Sequence, residues 1–226
     1  MFRVAARLVT DTLLVGSLMF AAAETLRWWY AWILLAAMLF VRGASAVVVA
    51  RVSPALLLER AGLPVHREQP IADRVLVLTI LATGFLGLPT IAALDHGHWH
   101  VGEPPALSLR ATGLLLFVLG WGLKGMALRA NAFATTVLRH QTERGHAVVD
   151  TGVYSFVRHP FYAADPLIYV GLGLWLGSWV TVALAALPVT LMLLRLRLEE
   201  RFLVHALPAY GAYIARVPYR LVPGIW

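Results

Sequence analysis

TGVYSFVRHPFY, residues 151–162, runs straight into AADPLIYVGLGLWLGSWVTVALAALPVTLMLL, residues 163–194, and the second stretch decides how the chain folds. It holds one charged residue, Asp165, and a Gly177-Ser178 pair near its middle. At about 1.5 Å of rise per residue it is too long for one crossing of a hydrocarbon core about 30 Å thick, and right for two short ones. It therefore reads as a helical hairpin. A hairpin returns the chain to the membrane face it left, so Arg158, His159 and Pro160 before it and Glu199 and Glu200 after it belong on one side. Two polar clusters distant in sequence can share one site.

The whole chain is built in this style. Of its 226 residues 60% are hydrophobic and 14% charged, with a mean hydropathy of +0.74, whereas an ordinary soluble domain carries about a quarter charged residues. This composition specifies an all-α polytopic membrane helix bundle. The absence of cysteine excludes disulfides, thiolate catalysis and cysteine-ligated metals. A net charge of +7 raises the question of nucleic acid, but the basic residues are spread between apolar spans and form no stripe, so no nucleic-acid partner is expected. Residues 2–23 have the basic start and apolar body of a signal peptide, with Ala21-Ala22-Ala23 as a cleavage-like site. Asp11 interrupts the apolar body and more spans follow, so the segment reads as the first span.

Further apolar windows at residues 30–50, 75–94 and 109–128, with the two arms of the hairpin, bring the total to about six spans. An even number places both termini on one face. Of the 19 lysines and arginines, sixteen fall toward that face, two (Arg27 and Arg110) fall opposite, and Arg42 lies inside a span. By the positive-inside rule the termini are cytoplasmic. The chain divides into N-terminal spans, 1–128, and a C-terminal region, 129–226, made of the longest polar stretch, the hairpin and a polar aromatic tail.

Each motif has a structural and a functional reading. Pro160 suits the first turn of a span, with Arg158 at the headgroups, yet the flanking Gly152, Tyr154 and Tyr162 can equally form a pocket mouth. Glu199 lies one helical turn after Arg195, and Glu200 three residues after Arg197, which allows a solvated ion-pair ladder. Carboxylates this close to hydrocarbon are also costly unless paired. His96, His98 and His100 invite a metal reading, but with Asp95 as the one convincing partner a wet surface loop accounts for them better, and no metal site is expected. Arg42 faces the bundle or snorkels. Trp28, Trp29, Trp32, Trp175, Trp179 and Trp226 fit an interfacial aromatic belt.

The ordered set Gly145-His146, Val148, Gly152-Val153-Tyr154, Val157-Arg158-His159-Pro160 and Tyr162 resembles the isoprenylcysteine carboxyl methyltransferase family, to which phospholipid methyltransferases are related. The resemblance continues through Leu198-Glu199-Glu200, Leu203, Pro208, Tyr210, Tyr213, Arg216 and Pro223, with Asn131, Phe133 and Gln141 as a lead-in like that of prokaryotic members. It covers residues 131–226 and implies an integral membrane enzyme that transfers a methyl group from S-adenosyl-L-methionine to a lipid-like or prenylated acceptor among the membrane lipids. It also implies a C-terminal cofactor pocket reached from the cytoplasm. Carried onto this sequence, the cofactor-binding candidates are Gln141, His146, Val148, Gly152 and Tyr154, together with His159, Pro160, Tyr162 and Glu200. Arg158, Glu199 and Glu200 form the candidate catalytic centre.

These residue types suit the implied cofactor, a sulfonium cation with a zwitterionic amino-acid end. Arg158 or His159 can meet its carboxylate, and Tyr154, Tyr162 and the glutamates its positive parts. A carboxylate acceptor would need no general base at neutral pH. An amine or hydroxyl would, and His159 or a glutamate could supply it. A phospholipid amine methyltransferase, an NADPH-dependent membrane sterol or enone reductase and a membrane scaffold without catalysis remain as alternatives. Acceptor and oligomeric state are not specified by these residues.

Overall fold

The turn expected at Gly177 and Ser178 separates two arms of a hairpin in the computed structural model, which describes residues 1–62, 65, 69–135 and 147–226. Gly177 closes the first arm with φ of 84°, a left-handed conformation open to glycine at no steric cost. The Ser178 hydroxyl then accepts from the Thr181 amide and caps the second arm. The described residues form helices and no strand.

In chain order the helices are α1 (Phe2–Ala23), α2 (Trp29–Ala50), α3 (Pro54–Arg60), α4 (Ile71–Ile80), α5 (Leu88–Leu94), α6 (Leu107–Ala130), α7 (Pro160–Leu176), α8 (Trp179–Leu184), α9 (Ala186–Ala206) and α10 (Tyr210–Arg216). A π-helical stretch, Leu81–Gly87, joins α4 to α5, and a second, Asp95–Trp99, extends α5, so that one long helix covers Ile71–Trp99. In the same way α8 and α9 make one helix, Trp179–Ala206. With α1, α2 and α6 these are five helices long and apolar enough to cross a membrane, as a polytopic bundle requires.

The sixth expected span is α7, and it differs from the rest. Its 17 residues reach only about 25 Å at helical rise, and twelve of them are buried. It is the axis of the bundle, packed chiefly on α6. Small residues permit the approach: a methyl at Gly171 would lie 2.5 Å from the Gly113 carbonyl oxygen, and one at Gly120 2.9 Å from that of Ala164. Met19, Leu34, Leu88, Phe117, Ile168 and Leu172 fill the main core around this pair.

Three expectations change. The third span runs from residue 71 to 99 and absorbs His96 and His98, expected in a loop, while His100 caps its end. His96 stacks on Trp28 with ring centroids 4.3 Å apart, and His98 Nε2 lies 3.0 Å from the Ala22 carbonyl oxygen. Those contacts draw the histidines back onto α1 and the start of α2. Trp28 and Trp175 are buried, the latter donating to the Tyr30 carbonyl, so only part of the tryptophan set lies on the outside. Lys124, assigned from its position to the face of the termini, is inside the bundle because Asp165 of α7 pairs with it at 2.6 Å.

Candidate active site

Pro160 starts α7 as its first residue, where its missing N–H costs no helical bond, and it disfavours helix for His159 just before it, whose φ of −128° and ψ of 61° are non-helical. That backbone is held by the C-terminal tail: the Arg158 and His159 amides donate to the carbonyls of Tyr219 and Arg220, both at 2.9 Å. The arms of the hairpin bring Glu200 alongside. Arg158 Nε donates to Glu200 Oε1 at 2.8 Å and its Nη1 to the Val217 carbonyl at 2.7 Å. His159 Nε2 stands 3.3 Å from the same Oε1, and Arg220 Nε donates to Oε2 at 2.6 Å. Arg158, His159 and Glu200 are all buried. Glu200 thus receives donors from the mouth of α7 and from the tail.

Glu199 forms a second linkage. Tyr162 Oη donates to Glu199 Oε2, Arg195 Nη1 donates to Tyr162 Oη at 2.7 Å, and Arg195 Nε donates to Asp73 Oδ1 at 2.8 Å. The solvated ladder that helical spacing allowed is replaced by a chain of bonds from α9 across α7 to α4. It forms because α4 packs along α9 and presents Asp73, almost wholly buried, to Arg195.

The aromatic wall comes from both sides of the hairpin. Gly152 has φ of 59° and starts a short 3₁₀ turn, Gly152–Ser155, that turns Tyr154 inward. Tyr213 Oη donates to the Tyr154 carbonyl at 2.7 Å, while Val148 packs on Leu207, Tyr210, Tyr213 and Val217. Tyr210 Oη lies 3.5 Å from His159 Nε2. Burial raises the phenol pKa of Tyr154 and Tyr210, and pushes that of Tyr213 up to about 12. All three therefore remain neutral donors at physiological pH.

A cavity of about 430 Å³ opens against these groups and continues between the spans. Val148, Tyr154, Arg158, His159, Tyr162 and Glu199 line it, whereas Glu200 stands behind Arg158 and His159. Its other end is lined by Arg42, Arg60, Lys124 and Asp165, among apolar residues of α2 and α6. Gln141 and His146 lie outside the described residues. Sequence reasoning gave no role to Asp73, Arg60, Lys124, Asp165 or Arg220. The signal available for Lys124 and Asp165 was their charge within apolar windows, which marks a functional residue by default.

The architecture defines a class: a polytopic helical membrane protein with a cavity that carries polar clusters among apolar walls and is bordered by helices long and apolar enough to cross a membrane. Residues 109–209 match the sequence model of the phospholipid methyltransferase family. That stretch contains α6 to α9 with Arg158, His159, Glu199 and Glu200, and ends before Tyr210. The chain is also similar to the cobalt-zinc-cadmium resistance protein CzcN of Cupriavidus metallidurans, with 29% identity over 146 residues, 64% of this chain and 59% of that protein.

Proposed function

We propose that this chain is a membrane methyltransferase that uses S-adenosyl-L-methionine to methylate a lipid-like acceptor, an isoprenyl-linked carboxylate being one candidate. The observation that carries the reading is the single cavity reaching from the Arg158, His159 and Tyr210 cluster to apolar walls between the spans, within and beside the family-matched residues. Such a cavity can admit a polar cofactor at one end and an amphiphile at the other. The residues fit the cofactor: its amino-acid carboxylate suits Arg158 and His159, and its cationic centre suits Tyr154, Tyr162 and Glu199. When bound, it supplies an electrophilic methyl group.

The chain's own contribution is positioning and exclusion of water. Glu200 holds Arg158 and His159 in place through the bonds at 2.8 and 3.3 Å, so their remaining donors face the cavity without rearrangement. Tyr162, fixed between Arg195 and Glu199, presents its ring to the cavity wall in one held position. The acceptor atom would attack the methyl carbon in line, and the carbon–sulfur bond pair would leave with sulfur. Alignment in a dry site supplies much of such a rate. The basic residues around Arg158 to Arg220 favour placing this mouth, and both termini, on the cytoplasmic side.

A second reading, phospholipid amine methylation, is favoured by the family description. Calorimetric titration of the purified full chain with S-adenosylhomocysteine and, separately, NADPH tests the class. Saturable S-adenosylhomocysteine binding that is lost in Arg158→Gln is expected; binding of NADPH alone would overturn the proposal in favour of a reductase.

A further inference from the structure

Arg42, Arg60 and Lys124 line the end of the cavity that the cofactor reading leaves without a task. They are neighbours around two aromatic rings. The Arg60 guanidinium and Lys124 Nζ sit 4.7 and 4.3 Å from the centre of the Phe161 ring, and Lys124 Nζ and the Arg42 guanidinium 5.5 and 4.9 Å from that of Trp121. The carboxylates nearby do not balance them. Asp165 pairs with Lys124 at 2.6 Å, and Asp11 with Arg42 at 2.6 Å, but Asp11 is shared with Arg7 at 2.9 Å. Arg60 donates to the Ala134 carbonyl and pairs with no carboxylate among the described residues. Among the described residues four cations, Arg7, Arg42, Arg60 and Lys124, therefore meet two carboxylates along this end, where the walls also carry apolar side chains such as Leu34, Leu35, Met38 and Phe117. Arg42 Nη1 is buried there without a hydrogen-bond partner.

Uncompensated positive charge between membrane helices is costly and is held where something answers it. Burial lowers the Arg60 pKa to about 10, which still leaves the group cationic at neutral pH. We propose that Arg60, Lys124 and Arg42 form an oxyanion-binding subsite, so that the cavity accepts an amphiphile carrying a carboxylate or phosphate, with its alkyl chain along the apolar wall. An amine head at this point would meet like charge. Arg42 and Arg60 precede residue 109, where the family match begins, and Lys124 lies within it, so the subsite joins the matched part of the chain to helices that the match does not reach. The inference rests on the methyltransferase reading only in taking the bound amphiphile to be the acceptor.

The test titrates the full chain in neutral detergent, at mildly alkaline pH, with four compounds of one chain length: oleate, oleyl phosphate, oleyl alcohol and oleylamine. At least one anion is expected to bind about tenfold more tightly than the alcohol, with the amine weakest, as charge-assisted hydrogen bonds allow. Preference for oleate identifies a carboxylate acceptor, and preference for oleyl phosphate a phosphate-bearing one. Arg60→Gln and, independently, Lys124→Met should bring the anion-to-alcohol ratio close to one, a change in selectivity that general loss of fold does not produce. Equal binding of anion and alcohol, tighter binding of the amine, or an anion preference intact in both variants would overturn the subsite. S-adenosylhomocysteine titrated in parallel on the unsubstituted protein separates the two ideas: its failure to bind beside a clear anion preference overturns the methyltransferase reading and leaves the subsite.

Discussion

The two ends of the cavity handle buried charge in opposite ways. At the mouth, Glu200 is saturated: Arg158 and Arg220 donate to its two oxygens, His159 stands 3.3 Å away, and the tail closes over the group with backbone bonds. Between the spans, Arg60 has a carbonyl partner and no carboxylate among the described residues, while Arg42 and Arg7 share Asp11. A saturated cluster fixes its members, so it is suited to holding a site in shape. A cluster with cations in excess pays for their burial without a matching internal bond, and so is suited to receiving an anion from outside.

Removing the keystone of the first cluster should have the largest effect. Glu200→Ala leaves Arg158 buried without its counter-charge, which by the usual cost of breaking a buried pair should destabilise the fold by about 3–5 kcal/mol. Thermal unfolding of the purified protein reads this, and an unchanged midpoint would show that the cluster is not the structural anchor its geometry describes. Asp165→Asn comes next. It strips Lys124 of its one carboxylate partner among the described residues and should cost about 2–4 kcal/mol, since the asparagine can still accept a bond. Arg60→Gln sharpens the contrast, because this cation has no ionic partner to abandon among the described residues. Its unfolding midpoint should move by less than about 1 kcal/mol equivalent, in either direction. A loss as large as that in Glu200→Ala would mean that Arg60 is part of the fold and the two ends are alike.

The mouth was far more legible in the sequence than the inner end. A hairpin that returns to its starting face puts Arg158 and Glu200 on one side, where they can share a site, and this much follows from length and hydropathy alone. The bundle itself was legible for the same reason, because a hydrocarbon solvent leaves helices as the economical way to satisfy the backbone across these apolar windows. The inner end depends on rotation of one helix against another, which no spacing within a single segment specifies. Lys124 reads as a cation near the end of an apolar window until α7 turns Asp165 toward it. Glu199 reads as the partner of Arg195 at one helical turn until Tyr162 is placed between them by α7. Asp73 reads as one residue of the polar stretch before a span, and only the packing of α4 on α9 makes it a partner of Arg195. The histidines read as a wet surface loop for want of ligand partners, whereas a π-helical extension of α5 carries His96 and His98 and ends at His100.

A further effect, confined to one hydrogen bond, concerns the tail that seals the mouth. Tyr213 Oη donates to the Tyr154 carbonyl, and burial holds its phenol pKa at about 12, above the value near 10 expected in an unfolded chain. Protonated Tyr213 is therefore favoured by the folded state. Its contribution is complete below about pH 10 and is lost as the pH rises through about 12, because the unfolded chain gives up its proton first. Tyr213→Phe should lower stability at neutral pH by about 1 kcal/mol through the missing bond, and should also make the decline between these pH values shallower than in the unsubstituted protein. Denaturation monitored by far-ultraviolet circular dichroism across that range measures both. The same substitution at neutral pH but an identical alkaline slope would place the proton's linkage on Tyr154 or Tyr210, whose pKa values burial also raises. A steeper slope in the variant would contradict the direction of the shift, and with it the dry packing of the tail over the mouth.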